Sequence, residues 1–186
     1  LCQNCHDPQR VYMGVDWRAD HSLRVPRPDL TRTIGAPNAC AQTGCHADRS
    51  PGWIEESYQK WYGKARKPHY GSIVAAGRGG KEEARPALVR LAGDPLYPAI
   101  VRATALSLLD RYPGSESAAA FNRALADEDP LIRHAAVDRV SAPDPRELAE
   151  IVSPLLFDPV RAVRMRAAVR LAGLPGELFK PYQKEA

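Results

Sequence analysis

The sequence predicts a mostly α-helical protein in two parts, an irregular N-terminal segment followed by an α-solenoid of repeated helix pairs. Three observations support this fold class. Six of the 17 prolines lie before residue 70 and interrupt almost every long periodic stretch there. All four cysteines lie before residue 46. Beyond about residue 83, apolar residues recur at three- and four-residue spacing in a stretch rich in Ala, Leu, Val and Arg, which is the period of amphipathic helices.

Composition narrows the class of protein further. Hydrophobic residues make up 44% of the 186 residues and charged residues 26%, which is the balance of a globular protein. No apolar run approaches the roughly 18 residues of a transmembrane helix, so no membrane span is predicted. The net charge of +4 is too small to indicate a nucleic-acid partner. Because the chain begins Leu1-Cys2 without Met or export signal, we expect a piece of a longer protein or a mature protein cleaved just before Leu1.

The N-terminal segment, residues 1–70, contains one predicted helix. It extends from about residue 51 to residue 62, where tryptophan, isoleucine and tyrosine recur at helical spacing. Pro51 suits a first helical position, and Gly63 suits a helix end. Residues 71–82 contain four glycines and are predicted to be a linker.

Six further helices are predicted after the linker, and they repeat. They lie near residues 83–92, 97–111, 116–126, 130–140, 145–156 and 160–172. Residues 101–106 align with residues 132–137 at an offset of 31, and residues 135–137 align with residues 167–169 at an offset of 32. An Asp-Pro pair precedes each aligned block. A period of about 30 residues with two helices per unit predicts a helical solenoid over residues 83–186, and an unrelated helical bundle is the alternative.

The aligned blocks also resemble a known repeat. Val101-Arg102, Ile132-Arg133 and Val163-Arg164 each begin such a block, and alanines follow. This pattern is similar to the second helix of HEAT repeats, and the resemblance covers roughly residues 83–174. The arginines are expected to lie on the solvent side or to bridge acidic turns. Neither the solenoid nor the bundle shows a catalytic cluster.

Two cysteine motifs end in histidine. They are Cys2-Gln3-Asn4-Cys5-His6, with C-x-x-C-H spacing, and Cys40-Ala41-Gln42-Thr43-Gly44-Cys45-His46, with C-x4-C-H spacing. C-x-x-C-H is the attachment pattern of c-type haem, because two thiols form thioethers with the haem vinyl groups and the adjacent histidine reaches the iron. The wider second spacing is a variant in multihaem cytochromes, in which the loop must bulge, and Gly44 permits that bulge. The motifs predict two haems c, with Cys2, Cys5, Cys40 and Cys45 as thioether residues and His6 and His46 as proximal ligands.

Two further histidines precede the linker and are the candidate distal iron ligands, His21 and His69. If both bind iron, each haem has two histidine ligands. Met13 is a competing distal ligand, since thioethers also bind haem iron, and a ligand from chain upstream is a further possibility. His134 lies within a predicted repeat helix and is interpreted as a packing residue.

Other interpretations of the cysteines remain open. A zinc site formed by Cys2, Cys5, Cys40 and Cys45 has plausible chemistry, but it does not require a histidine after each pair. Two disulfides in a secreted domain are a second alternative. A thioredoxin-like redox pair requires a βαβ context, which the sequence around Cys2 lacks.

The resemblance extends beyond the cysteine motifs. Residues 5–40, Trp61-Tyr62-Gly63 and Pro68-His69-Tyr70-Gly71 resemble the last two haem sites of large bacterial multihaem c-type cytochromes that also carry a HEAT-like region. The resemblance covers essentially the whole chain, but the C-x4-C spacing and the missing upstream haem motifs depart from it. It implies the C-terminal part of a longer electron conduit, exported to the periplasm or the cell surface.

The function predicted from these features is electron transfer by two covalent haems. Four histidines for four axial positions would close both irons to substrate, so an electron carrier is favoured over an enzyme. The expected partners are redox proteins or further haem domains, with self-assembly a further expectation. The alternatives are a multihaem enzyme of nitrite or hydroxylamine type, which the resemblance brings in, and a zinc-stabilised HEAT-repeat interaction module.

Overall fold

The computed structural model describes residues 2–21, 23–42 and 45–178, without the side chains of Cys2 and Gln42. Within these ranges the chain is mostly helical, which confirms the predicted mostly α class. It divides into two compact units, Leu1–Ser72 and Ile73–Ala186, which are described separately below. None of the described helices is both long enough and apolar enough to cross a membrane.

The first unit contains five helices and one hairpin among its described residues. They are α1 (Cys2–His6), β1 (Gln9–Tyr12), β2 (Asp16–Ala19), α2 (Pro28–Ile34), α3 (Ala39–Gln42), α4 (Pro51–Tyr62) and the start of α5 (Tyr70–Arg78). The predicted helix over residues 51–62 is confirmed as α4. The Ser50 hydroxyl accepts the Trp53 N–H at 3.2 Å as its N-cap, and Gly63 ends it with φ of 78°. The small core formed by α2 and α4 buries Leu30 and Ile54.

The hairpin of β1 and β2 is a feature that the sequence did not predict. Val11 lies directly opposite Trp17, and both residue types favour strands. Met13 and Gly14 form the turn with φ of 51° and 78°, a left-handed conformation that glycine adopts without steric cost. Every hairpin residue except Ala19 is exposed. The hairpin therefore lacks the alternation of apolar and polar residues from which a half-buried strand is recognised in a sequence.

The segment predicted as a linker is helical over most of its length. α5 covers Tyr70–Arg78, and a 3₁₀ turn follows at Glu82–Ala84. A Cβ added at Gly77 would lie 3.0 Å from Leu88 Cδ1 and 3.3 Å from Leu108 Cδ1. The Tyr112 hydroxyl also donates to the Gly77 carbonyl at 2.8 Å. Gly77 therefore allows α5 to pack closely and does not make the chain flexible. Because α5 contains glycine for this reason, the composition of the segment resembled that of a linker.

The six helices predicted for the second unit are all present. They are α6 (Arg85–Gly93), α7 (Ala99–Leu109), α8 (Ser115–Ala124), α9 (Pro130–Val137), α10 (Pro145–Val152) and α11 (Arg161–Leu171). Asp129 and Asp144 accept backbone N–H groups as N-caps of α9 and α10, each before a proline at the first helical position. α10 ends before its predicted limit of residue 156, because Ser153–Phe157 form a 3₁₀ turn around Pro154.

The core of the second unit lies between successive helices. α6 packs on α7, α7 packs on α9, and α9 packs on α11. Several large aliphatic side chains are fully buried there, namely Leu88, Leu106, Leu109, Ile132, Val137 and Val163. Since burying each such side chain stabilises a fold by about 1.5 to 3 kcal/mol, this unit closes a core from its own residues.

Two arginines of the aligned blocks bridge acidic turns, which is one of the two placements expected for them. Arg102 pairs with Asp127. Arg133 binds Asp158 through two hydrogen bonds, Nε to Oδ2 at 2.6 Å and Nη2 to Oδ1 at 3.0 Å. Both arginines are almost fully buried with their carboxylates. A bidentate pair of this kind holds adjacent helix units in a fixed register.

Candidate functional site

The first cysteine motif lies on α1, with His6 as its last helical residue. Cys5 is exposed and carries a free thiol. The side chain of Cys2 lies outside the described residues. The His6 Nδ1 atom is 3.0 Å from the Arg24 carbonyl oxygen. Because a carbonyl only accepts, Nδ1 carries the ring proton and Nε2 keeps its lone pair, which is the tautomer of a histidine that binds metal through Nε2.

The second motif begins on α3, which packs against α1. Cys40 is half-buried and carries a free thiol, and Cys45 is exposed. Burial raises the pKa of the Cys40 thiol, and repulsion by negative charge at Cys5 and Cys45 raises it further. Because the first motif lies on α1 and the second begins on α3, the packing of these two helices brings the cysteine motifs near each other. The predicted bulge at Gly44 lies outside the described residues.

His46 is the last residue of the second motif and lies beside an aromatic side chain of α4. Its backbone N–H donates to the Cys40 carbonyl at 3.2 Å, which closes the motif into a loop. The His46 and Trp53 rings are tilted, with their centroids 5.3 Å apart. The Arg49 guanidinium lies over the Trp53 ring at 5.0 Å from the centroid. α4 therefore supplies the aromatic wall of the second motif.

His21, a candidate distal ligand, lies beside the acidic residue that follows His6. Its Nδ1 atom is 3.4 Å from Asp7 Oδ1, and 84% of its side chain is exposed. Asp7 Oδ1 is buried and has no hydrogen bond within the described residues. A carboxylate next to Nδ1 orients the imidazole and leaves Nε2 available to a metal. Asp7 is a site residue that the sequence analysis missed, although its position next to His6 is a signal in the sequence.

His69, the other candidate distal ligand, has the opposite arrangement. Its Nδ1 accepts the Gly71 N–H at 3.0 Å at the start of α5, so its ring proton is on Nε2. Burial lowers the pKa of His69, and the charges of Arg27 and Arg24 lower it further. A Cβ at Gly71 would lie 2.9 Å from His69 Nδ1, so a larger residue at this position would have to displace the His69 ring. Binding of iron through Nε2 would require His69 to give up the Gly71 contact.

Arg24 connects the first motif with His69. Its carbonyl holds His6, and its guanidinium Nη1 donates to the Tyr70 hydroxyl. The Tyr70 ring in turn stacks on His69, with centroids 4.2 Å apart. The sequence analysis did not identify this role, because Arg24 and Tyr70 are 46 residues apart and no motif spacing relates them.

The remaining candidates lie elsewhere. Met13, the competing distal ligand, lies at the hairpin turn and is 81% exposed. His134 lies on α9, and its interpretation as a packing residue stays a prediction. Within residues 2–21, 23–42 and 45–178, no group of three or more His, Cys, Asp or Glu side chains is arranged to hold a metal ion. The zinc alternative stays a prediction, since it includes the side chain of Cys2.

The donor set fits haem c at both motifs. His6 presents its Nε2 lone pair next to a free thiol, and His46 follows the Cys40 and Cys45 thiols beside Trp53. A pair of cysteine thiols, which form thioethers with the haem vinyl groups, and an imidazole that binds the iron are the groups that hold c-type haem. Comparison with protein-family models, with curated proteins and with solved structures gives no match for this chain.

Proposed function

We propose that this chain transfers electrons through two covalently bound c-type haems. Cys2 and Cys5 would attach the first haem and Cys40 and Cys45 the second, with His6 and His46 as proximal iron ligands. The observation that carries the proposal is the His6 ring, which is held by the Arg24 carbonyl through Nδ1 and so leaves Nε2 available to iron, at the position that directly follows the C-x-x-C pair in the sequence. A bound haem supplies a one-electron couple between ferric and ferrous iron.

The uncovered aromatic side chains of the first unit support the same proposal. Trp17 and Trp61 are 70% and 73% exposed, and Trp53 is 40% exposed. Exposed aromatics around a site are expected where a large apolar group covers them. The faces of two porphyrins would bury more apolar surface than any side chain of this unit, so haem would complete its core.

The distal positions would be filled by His21 and His69. His21 needs no rearrangement of its ring nitrogens, because Asp7 already lies beside Nδ1. His69 would exchange its Gly71 contact for the iron. Two six-coordinate irons suit an electron carrier, because electron transfer requires no open coordination position.

The helical second unit would act as a HEAT-like solenoid that docks redox partner proteins or further haem domains. Solenoids present extended binding faces along their stacked helices. The repeated Arg–Asp pairs and the successive packing of α7, α9 and α11 support this assignment. If the haems are covalently attached as proposed, the protein would act in the periplasm or at the cell surface, which is also what the resemblance implies.

A second candidate function follows from His69. If His69 keeps its contact with Gly71, one iron stays five-coordinate and open to a small ligand. That arrangement would suit a multihaem enzyme of nitrite or hydroxylamine type.

The test is expression in a host that matures c-type haem, followed by the pyridine haemochrome assay. We expect two covalent haems per chain, only low-spin signals in the electron paramagnetic resonance spectrum, and no carbon monoxide binding to reduced protein. A high-spin signal with carbon monoxide binding would favour the enzyme. Absence of covalent haem, with stoichiometric zinc, would favour the zinc-stabilised interaction module.

The variant His69→Ala tests the distal assignment. We expect one of the two haems to become high-spin while covalent haem content stays the same, because the thioether bonds do not involve His69. His134→Ala is the matched control and should leave both haems low-spin. A fully low-spin spectrum of His69→Ala would show that His69 is not a ligand.

A further inference from the structure

Arg24 makes two contacts of different kinds, one through its backbone and one through its side chain. Its carbonyl oxygen accepts the proton of His6 Nδ1 at 3.0 Å, and its guanidinium Nη1 donates to the Tyr70 hydroxyl. The guanidinium carbon also lies 5.8 Å from the centre of the Tyr70 ring. A single residue therefore ties the histidine of the first cysteine motif to the beginning of α5.

The backbone directly before Arg24 is strained. Leu23 has a φ of 48°, which lies in the left-handed region that residues other than glycine rarely adopt. Its side chain is 65% exposed, so burial of Leu23 does not hold this conformation. A strained backbone persists only where contacts around it over-determine the conformation. The two contacts of Arg24 supply such a constraint, because they fix both the carbonyl and the side chain of the next residue.

The hydrogen bond to His6 depends on this constraint because it lies at the protein surface. Water competes there for the His6 ring proton, so the bond is favoured only where the carbonyl is held facing Nδ1. Relaxation of φ at Leu23 would move the Arg24 carbonyl away from the imidazole. The contact between the guanidinium and Tyr70 opposes that relaxation from the other end of Arg24.

Tyr70 is a fixed anchor for the guanidinium. It is the first residue of α5, and its ring stacks on His69 with the centroids 4.2 Å apart and the planes 30° apart. The Gly71 N–H donates to His69 Nδ1 at 3.0 Å, and the Ser72 N–H donates to the His69 carbonyl at 3.1 Å. These local contacts give the Tyr70 hydroxyl a defined position at the start of the helix.

We propose that Arg24 is a positioning residue that sets the strength of the His6 hydrogen bond and, through it, the reduction potential of the first haem. An acceptor on the Nδ1 proton makes Nε2 a stronger electron donor, and stronger donation favours ferric over ferrous iron. Arg24 and Tyr70 would therefore keep this potential lower than it would be without their contact. The inference rests on the proposed attachment of the first haem at Cys2 and Cys5, and it names the contact that tunes that site.

The test compares variants of the full haem-loaded protein. Tyr70→Phe keeps the ring that stacks on His69 and removes the hydroxyl, whereas Arg24→Ala removes the guanidinium and keeps the backbone carbonyl. We expect each variant to raise the potential of one haem and to leave the other unchanged, as measured by spectroelectrochemical titration. Exchange of the His6 Nδ1 proton, measured by NMR of the reduced protein, should become between about two and about ten times faster, which is the worth of an ordinary hydrogen bond.

The double variant shows whether both residues act through one contact. It should change the potential and the proton exchange no further than Arg24→Ala alone, because the same contact is already lost. Arg24→Lys keeps a donor for the Tyr70 hydroxyl and should retain part of the effect. Tyr12→Phe is the matched control, since the Tyr12 ring also lies beneath an arginine, Arg18, at 4.7 Å, but on the hairpin. It should leave both potentials and the proton exchange unchanged.

Haem content measured in the same samples separates the two proposals. Normal haem content with an unchanged potential and unchanged proton exchange in Tyr70→Phe would overturn the inference and leave electron transfer standing. Additive effects in the double variant, or an equal shift in Tyr12→Phe, would overturn it as well. A wild-type chain without covalent haem would count against electron transfer itself and would remove the inference with it.

Discussion

The two units of this chain differ in how they bury apolar residues. The second unit fully buries large aliphatic side chains from five of its helices, α6, α7, α9, α10 and α11. Among the described residues of the first unit, only two large aliphatic side chains are buried, those of Leu30 and Ile54. All three tryptophans belong to the first unit and are exposed. The unit with the most aromatic residues therefore has the smaller core. This difference indicates that the side chains of the first unit do not by themselves form a complete core. A segment whose core is completed by bound haem is expected to have this property.

The largest expected effect comes from removing covalent haem. Substituting all four cysteines by alanine should leave the first unit largely unprotected from hydrogen exchange, because its core would lack the porphyrins that complete it. The second unit should keep its protection, since α6 to α11 pack on one another. Hydrogen exchange followed by mass spectrometry measures both units in one sample, and the second unit is its own internal control. Equal protection of the first unit with and without haem would contradict the view that haem completes the core of this unit.

Breaking one buried ion pair should destabilise the second unit alone. Asp158→Asn leaves the buried Arg133 guanidinium without its counter-charge, which we expect to lower the free energy of unfolding by about 3 to 5 kcal/mol. Urea denaturation followed by circular dichroism measures it. Asp110→Asn, on an exposed position after α7, is the control and should change stability by less than about 0.5 kcal/mol. Similar losses in both variants would contradict a role for the pair.

The same pair predicts a pH dependence. Hydrogen bonds from Arg133 hold the pKa of Asp158 below its ordinary value of 3.8. Since the folded-state pKa is the lower one, the stabilisation is complete above about pH 4 and is lost as the pH falls through the folded-state pKa. Asp158→Asn should therefore flatten the acid side of the stability profile of the second unit. An unchanged acid transition in this variant would contradict the assignment.

The smallest effect is expected at the first motif. Asp7→Asn removes the negative charge beside His21 Nδ1, and a ligand without that charge donates less electron density to iron. We expect the reduction potential of one haem to rise, with the second unchanged and covalent haem content intact. Spectroelectrochemical titration measures both potentials. Asp16→Asn, an exposed hairpin aspartate beside Arg18, is the matched control. Two unchanged potentials in Asp7→Asn would exclude Asp7 as a positioning residue for His21.

Helix ends account for most of what could be predicted of the fold. Ser50, Asp129 and Asp144 precede prolines at helix starts, and these caps act through neighbouring backbone groups, so the sequence shows them directly. The hairpin and α5 escaped prediction for opposite reasons. The hairpin is exposed on both faces, so it has no alternation of burial, and α5 contains glycines because Leu88 and Leu108 approach Gly77 closely.

For the candidate site, the sequence by itself determined the chemistry, because thiol and imidazole groups at fixed short spacing define what the two motifs can bind. Only the tertiary structure decided which ring nitrogen His6 and His21 present. That choice depends on contacts with residues far along the chain, the Arg24 carbonyl for His6 and the Asp7 carboxylate for His21. Likewise, the repeated arginines were visible in the sequence, but their pairing was not. A side chain acquires its partner only when the helices pack and bring a distant carboxylate within hydrogen-bond distance.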